Sequence, residues 1–376
     1  MKLRQVFTWR RVRRALVAGL LAGLVIAGGG TALFLVVVHG AQREFQPINV
    51  PLSPGLKAMI EQNPKHRRAE ESTYLTFPEW YLVFNPQEYA EFVRAHGPSG
   101  FPWGRSIQQY WRGYVEVYAI TRRHYPFNFG NHLMVVVIGV SSTGEWLVKG
   151  AYENSVGRLF EWIGGFDSQE DRYAAGIARE YGEFIPTRPW FEFPFGRALR
   201  ELWSKNDFFG PHFLRKWERK VFLSVEYGVK CVYAAAMRAG SLAVFGVAET
   251  EVFATARTWP DAAAAVPGCR KLQSTGEGGW LVALPHYQGF TDAAPALARL
   301  GVDFDEVCGN DEILLTLLAP AGWSYDLPAG RPLFTMPLLT GDARKRVAVQ
   351  APVKDLGRIL RELEPHGLKL EHLFDY

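Results

Sequence analysis

Histidines and carboxylates within an aromatic stretch are the residues of this sequence that could do chemistry. His132 and His212 lie in that stretch together with Glu153 and Glu226. Imidazole nitrogens and carboxylate oxygens bind metals and transfer protons, and helical bundles bring such side chains together from facing helices. These four residues are therefore the catalytic candidates. The simpler interpretation of Glu226 is an ordinary helical ion pair with Lys230, four residues later.

The sequence carries none of the standard catalytic motifs. It has no H-E-x-x-H, no G-x-x-x-x-G-K-[ST], no G-x-S-x-G and no C-x-x-C-H. Its three cysteines, Cys231, Cys269 and Cys308, match no metal or redox spacing, and we expect them to be reduced. The sequence therefore identifies no cofactor and predicts no metal site. The sequence leaves open whether the chain is an enzyme, and the lack of catalytic motifs argues against one.

A second group of candidates combines aromatic rings with one carboxylate. Glu79, Trp80 and Tyr81 are consecutive, and Trp103 and Trp190 occur in similar aromatic surroundings. Trp and Tyr favour the headgroup region of a bilayer, where the ring body is apolar and its tip is polar. We therefore predict these five residues to contact a ligand or the membrane. The alternative is that the rings fill an aromatic core.

Composition and charge exclude several classes of protein. With 48% hydrophobic and 21% charged residues, the chain has ample material for packed cores, which excludes intrinsic disorder. The net charge is +4, but six Lys and Arg lie within the first 14 residues, so the remainder is slightly acidic. This distribution argues against nucleic-acid binding, which needs basic residues clustered on the fold itself. A mean hydropathy of −0.07 argues against a multi-span transporter.

The basic tail precedes a run of 24 uncharged residues, 15–38. At about 1.5 Å per residue, this run spans a hydrocarbon core of roughly 30 Å. We predict an uncleaved signal anchor, with a cleaved signal peptide as the alternative. The positive-inside rule then places the N-terminus in the cytoplasm and the bulk on the extracytoplasmic face, at the inner or plasma membrane if the chain is bacterial.

A second span at Phe222–Val247 is the other possibility for the membrane topology. That segment contains Glu226, Lys230 and Arg238. Three central charges cost roughly 8–10 kcal/mol before pairing. We therefore predict a single-pass protein.

Differences in residue composition divide the chain into five parts. A basic tail (1–14) and the anchor (15–38) precede a proline-containing stalk (39–69). Residues 70–248 form an aromatic-rich, mainly helical domain, and residues 249–376 form an α+β domain. Eight of the 12 Trp, 16 of the 25 Phe and 12 of the 15 Tyr fall between Glu70 and Tyr233.

Helical signals are clear in the aromatic part. Asn85 with Pro86 predicts a helix start. The 3–4 spacing of apolar residues from Leu133 to Ile163 favours one long helix over a strand. Ser168 followed by Asp171 resembles a capping box.

The last part alternates strands and helices in a ferredoxin-like βαββαβ order, followed by a further βαβ unit. A weak internal repeat aligns Gly301, at the end of one helix, with Gly367 at the end of another. The predicted fold class is therefore α+β, with a single transmembrane helix at the N-terminus.

Three functions remain compatible with these features. The first is a membrane-anchored binding or accessory protein that holds a lipid, another apolar ligand or a membrane-protein partner at the extracytoplasmic membrane face. The second is a membrane-bound enzyme with a His/Glu site, with or without a metal, in the helical domain. The third is a structural scaffold of the cell envelope.

Overall fold

A computed structural model describes residues 52–63, 65–67, 72–244, 250–276 and 278–375 of the 376-residue chain. The predicted basic tail and the predicted anchor at 15–38 lie outside the described residues. The described part mixes helices with two four-stranded antiparallel sheets and is therefore of the α+β class.

The helical part contains eight helices within the described residues. They are α1 (Pro54–Glu61), α2 (Ser72–Val93), α3 (Trp103–His124), α4 (Phe129–Tyr152), α5 (Arg158–Gly164), α6 (Gln169–Phe184), α7 (Phe195–Ser204) and α8 (Phe213–Val244). A π-helical segment, Glu153–Gly157, joins α4 to α5 without a break. The result is the long helix Phe129–Gly164 of 36 residues, which confirms the single helix predicted from the 3–4 spacing.

The segment predicted to be a stalk contains structure of its own. It includes α1, whose N-cap Ser53 accepts a hydrogen bond from the amide of Leu56. It also includes His66, which is buried and pairs with Glu306 at 2.8 Å between Nε2 and Oε1. The described part of this segment therefore packs against the sheets.

Helix α2 runs continuously through Pro78 and Pro86. The predicted helix start at Asn85 was therefore wrong. An interior proline removes one backbone hydrogen bond and costs about 3 kcal/mol. Burial of the aromatic side chains along this helix, from Tyr74 to Phe92, offsets that cost.

The capping box at the start of α6 is confirmed. The Ser168 hydroxyl accepts from the amide of Asp171, and the Asp171 carboxylate accepts from the amide of Ser168.

The first sheet contains β1 (Glu251–Thr258), β2 (Arg270–Ser274), β3 (Trp280–Pro285) and β4 (Asp303–Val307), in the spatial order β2-β3-β1-β4. A five-residue 3₁₀ turn, Asp261–Ala265, lies between β1 and β2. Helix α9 (Gln288–Arg299) connects β3 to β4, and Gly301 follows it with φ +83°.

The second sheet repeats this arrangement. Its strands are β5 (Glu312–Pro320), β6 (Arg331–Pro337), β7 (Arg344–Pro352) and β8 (Lys369–Phe374), in the order β6-β7-β5-β8. Helix α10 (Leu356–Glu362) connects β7 to β8, and Gly367 follows it with φ +66°. The weak repeat in the sequence therefore coincides with two units of the same strand order.

Two apolar cores meet at the second sheet. Alternate residues of β5, such as Leu315 and Leu317, belong to a core shared with the first sheet, α9 and α10. Leu314 points the other way and joins the aromatic core of α2 and α3. Because the second sheet is covered on both faces, the aromatic helices and the strands form one packed body.

Candidate functional site

The four catalytic candidates do not come together. His132 is buried on α4, where its Nδ1 lies 2.9 Å from the hydroxyl of Tyr114 and its ring stacks on Phe127. Glu153 lies 21 residues along the same helix, roughly 30 Å away at about 1.5 Å per residue. His212 is exposed in the turn before α8, with φ +58°. Among the described residues, no group of three or more His, Cys, Asp or Glu side chains could hold a metal ion.

Glu153 and Glu226 instead belong to ion pairs between the long helix and α8. The carboxylate of Glu153 accepts two hydrogen bonds from Arg219, at 2.9 and 3.2 Å. Glu226 accepts from Lys149 at 2.7 Å and lies 3.4 Å from Lys230. Burial alone would raise the pKa of Glu226, but Lys149 and Lys230 lower it to about 2. This carboxylate is therefore ionised at neutral pH, which does not suit a general acid.

Four of the five contact candidates are aromatic, and most of these are inside the fold. Trp80, Tyr81 and Trp103 are buried, and Trp190 is half-buried against the ring of Tyr233. The rings therefore mainly build the aromatic core, which was the alternative interpretation.

Glu79 is partly exposed on α2. Its surroundings are apolar enough that desolvation raises the pKa of its carboxyl to about 7. A group that titrates near neutral pH can accept or donate a proton under physiological conditions.

A cleft of about 840 Å³ opens where the helical part meets the second sheet. Its walls come from α2, the end of α6, α9, α10 and β8, with contributions from β5 and β7. The lining is amphipathic, since eleven of its 26 residues are apolar and eleven are charged. The apolar ones are Trp80, Val83, Phe84, Pro186, Pro295, Leu318, Leu338, Leu360, Leu363, Leu368 and Leu370.

Arg346 is the most deeply buried charge of the cleft. Its guanidinium donates to Glu371 at 2.5 and 2.7 Å and to Glu88 at 2.7 Å, and it lies 4.2 Å from the ring centre of Phe84. Burial raises the pKa of Glu88 despite this neighbouring cation. The third nitrogen of the guanidinium, Nη1, is buried and has no hydrogen-bond partner among the described residues.

Trp80 forms part of the wall next to a buried histidine. Its ring stacks on His372, with 3.4 Å between centroids and 27° between planes. The Thr291 hydroxyl lies 3.0 Å from Nδ1 of His372 and accepts from the amide of Leu373 at 3.0 Å. Burial, and secondarily His286, lowers the pKa of His372, so the imidazole is neutral at neutral pH. Its Nε2 has no hydrogen-bond partner in the part of the chain that the structure describes.

The sequence contains few features from which the residues of this cleft could have been predicted. Trp80 was a candidate, but Arg346 and His372 lie in strands of the last part, 266 and 292 residues further along the chain. The one available signal was the charged residue directly before the apolar run of β7, Arg346 before Val347 and Val349. Such a residue is usually a solvated strand end, so only the packing of α2 against the sheet shows that it is buried.

The arrangement is suited to holding a molecule rather than to a recognisable reaction. Clefts of roughly 300–1,000 Å³ with apolar walls and a few placed polar groups are typical ligand sites. Comparison with protein-family models, curated proteins and solved structures gave no match to this chain.

Proposed function

We propose that this chain is a membrane-anchored binding protein that holds an amphipathic molecule of the lipid class in the cleft between α2, α9 and α10. The observation that carries the proposal is the amphipathic lining of this cleft around the buried Arg346. Aliphatic and aromatic side chains suit an acyl or other apolar body. The charged rim suits a polar head.

Location is part of the proposal. The run 15–38 inserts as a single-pass signal anchor, the N-terminus stays in the cytoplasm, and the bulk faces the extracytoplasmic side. A ligand of the lipid class is then available from the adjacent bilayer. A binding or accessory role needs no further partner, although a membrane protein could receive the ligand.

The alternative of a His/Glu enzyme receives less support. It would need His132 or His212 to approach Glu153 or Glu226, and each of the two carboxylates is instead held by cations of the opposite helix. The scaffold alternative makes no use of the cleft. The presence or absence of a ligand in the cleft therefore distinguishes the binding protein from the scaffold.

Native mass spectrometry of the full chain in detergent tests the proposal, together with binding of the fluorescent fatty acid cis-parinarate. We expect a co-purified lipid at one per chain and saturable binding of the probe. Val83→Trp, which fills the cleft from α2, should weaken probe binding by at least about tenfold, a loss of roughly 1.4 kcal/mol. Thr187→Trp at the rim provides a second variant in case the first does not fold.

Val115→Trp is the matched control, because Val115 is exposed on α3 and does not line the cleft. It should bind the probe as the unmodified chain does. An unmodified chain that carries no lipid and binds no probe would overturn the proposal and favour the scaffold. Equal binding by all variants would place the ligand elsewhere and would also overturn it.

A further inference from the structure

The long helix and α8 turn apolar side chains to the outside of the molecule. On the long helix these include Val137, Val148 and Leu159, and on α8 they include Val221, Val225 and Val229. We call this surface the exposed apolar face. Val148 is 72% exposed and Val229 is 63% exposed, so these are not rim residues of a core. Most of the large hydrophobic residues that are exposed within the described part lie on or beside these two helices.

Most charged side chains of the same helices point inward, whereas Arg158 and Arg238 are exposed. Arg215, Lys216, Glu218, Arg219 and Lys220 are consecutive or nearly so on α8, and all five are buried. Globular proteins in water sort their residues the other way, with charges outside and aliphatic side chains inside. In lipid, by contrast, charged side chains face the protein interior and pair with one another. The polarity of this helix pair is therefore the polarity expected next to lipid.

Ion pairs join the two helices along their length, so their outer sides form one continuous surface. Arg219 binds Glu153, Lys149 binds Glu226, and Lys230 lies 3.0 Å from Glu145. The residue numbers run in opposite directions, which makes the helices antiparallel. Between the first two pairs, Tyr152 and Phe222 stack with 4.0 Å between ring centres. The carboxylate of Glu145 is half-exposed at this face but is neutralised by Lys230.

We propose that the exposed apolar face lies on the surface of a lipid bilayer, with its aliphatic side chains inserted among the headgroups and upper acyl chains. One end of the face is aromatic, where Trp162 is 83% exposed and Phe209 and Phe213 stack on one another. Aromatic side chains of this kind favour the membrane–water interface. A contiguous apolar surface of this extent marks an interaction site in a soluble protein as well, but it does not explain buried charges beneath it.

The neighbours of the long helix show that it lies on the bilayer and does not cross it. By length and composition the long helix could cross a membrane, with a mean hydropathy of 1.3 over its best window. However, α3 packs along it, since Tyr110 donates to the carbonyl of Val135 and Trp111 donates to Thr143. The opposite side of α3 exposes Arg105 and Arg112. A bilayer that enclosed the long helix would enclose these arginines too, which is strongly unfavourable in hydrocarbon.

The inference rests on the proposed function only in placing the chain at a membrane. Thirteen residues, 39–51, separate the predicted anchor from the first described residue, Leu52. At roughly 3.3–3.6 Å per residue they reach about 45 Å at full extension. The anchor therefore leaves the described body within reach of the same bilayer.

Site-directed spin labelling of the full chain in phosphatidylcholine/phosphatidylglycerol vesicles tests this inference. Labels are placed singly at Val137→Cys, Val148→Cys, Leu159→Cys and Val225→Cys in a Cys231→Ser background. Collision with oxygen, which partitions into lipid, is compared with collision with a water-soluble nickel chelate. We expect all four labels to collide preferentially with oxygen, at a similar depth of roughly 5–10 Å below the phosphates.

Val115→Cys is the matched control. Val115 is 59% exposed on α3, close to the 61% of Val225, but it lies outside the exposed apolar face. Its label should collide preferentially with the nickel chelate. The background protein without new cysteines reports any labelling of the buried Cys269 and Cys308.

Three outcomes would overturn the inference. Labels on the face that are as accessible to the chelate as the one at Val115 would show that it faces water. Labels shielded from both reagents would show that protein covers it, either residues 15–38 or a second copy of the chain. A depth that rises to the bilayer centre at Val148 and falls on both sides would show a crossing helix. Loss of cis-parinarate binding with an unchanged depth pattern would overturn only the cleft.

Discussion

In the two sheets the residues hidden from solvent are mostly aliphatic, whereas between the long helix and α8 they are mostly charged. Leu315, Val347 and Val349 fill the core of the second sheet, and Arg215, Arg219 and Glu153 fill the space between the helices. The two regions are therefore held together by different interactions. Apolar burial stabilises the sheets, whereas the helix pair depends on satisfied charges and exposes its aliphatic side chains.

A single residue tests how much the helix pair depends on its ion pairs. Arg219→Ala leaves Glu153 and Glu218 buried with fewer partners, so the free energy of unfolding should fall by about 3–5 kcal/mol. Denaturant titration in detergent measures this change. Arg197→Ala removes a partly exposed pair with Glu180 and should cost only about 0–1 kcal/mol. Equal losses in the two variants would contradict the dependence of the helix pair on its buried ion pairs.

In the sheets the corresponding loss should come from an aliphatic side chain. Leu315 is fully buried in β5, so Leu315→Ala should lower the free energy of unfolding by about 2–5 kcal/mol. Leu272→Ala, at an exposed position of β2, should change it by less than about 0.5 kcal/mol. The same titration gives both values. A loss at Leu272 as large as that at Leu315 would mean that the outer side of the first sheet is covered as well.

The carboxyl of Glu79 makes stability depend on pH in the aromatic region. Its pKa rises from 4.5 to about 7 on folding because its surroundings are desolvated. Between these values the unfolded chain has released the proton and the folded chain retains it, so the free energy of unfolding falls as pH rises. The total fall is about 3 kcal/mol at most.

Glu79→Gln should remove this dependence, so the variant should match the unmodified chain near pH 4 and exceed it above about pH 7. Thermal unfolding across this pH range measures the effect. Glu183→Gln, at an exposed carboxylate of α6, is the control and should leave the pH profile unchanged. A Glu79→Gln profile parallel to that of the unmodified chain would contradict the assigned pKa.

Two glycines of α4 report on its inner and outer sides. An alanine at Gly139 would collide with the ring of Tyr110, so Gly139→Ala should cost about 1–3 kcal/mol. Gly144 has open space around it, and Gly144→Ala should stabilise the helix by up to about 1 kcal/mol. Opposite signs in the same titration would confirm which side of the helix is packed. A loss at Gly144 would indicate a close neighbour on the exposed side.

Local signals in the sequence predicted much of the secondary structure. The apolar spacing of the long helix, the capping box at Ser168 and the strand–helix alternation after residue 250 all correspond to elements of the fold. These signals depend on residues a few positions apart. Where the outcome depended on distant residues, prediction failed, as for the helix start at Asn85, which the aromatic packing of α2 overrides.

Dependence on distant residues also explains why the sequence did not predict the candidate site. In the sequence, Glu226 and Lys230 count as unpaired charges against a second membrane span. Their partners Lys149 and Glu145 lie about 80 residues earlier in the chain, so the pairing is not visible there. Likewise, nothing near Arg346 in the sequence indicates that Glu88 and Phe84 enclose it. A sequence shows which residues are charged, but their pairing is a property of the tertiary structure.

The contacts between α2 and the second sheet constrain how the chain can fold during synthesis. Thr73 donates to the carbonyl of Phe374, and Tyr74 donates to Glu312 at 2.7 Å. These partners leave the ribosome some 240–300 residues after α2 does. Until then the aromatic side of α2 has no sheet to cover it, so this region cannot complete its folding before β8 has been synthesised, and the incomplete chain is prone to aggregate. Attachment of an emerging chain to a membrane would keep neighbouring copies apart during that interval.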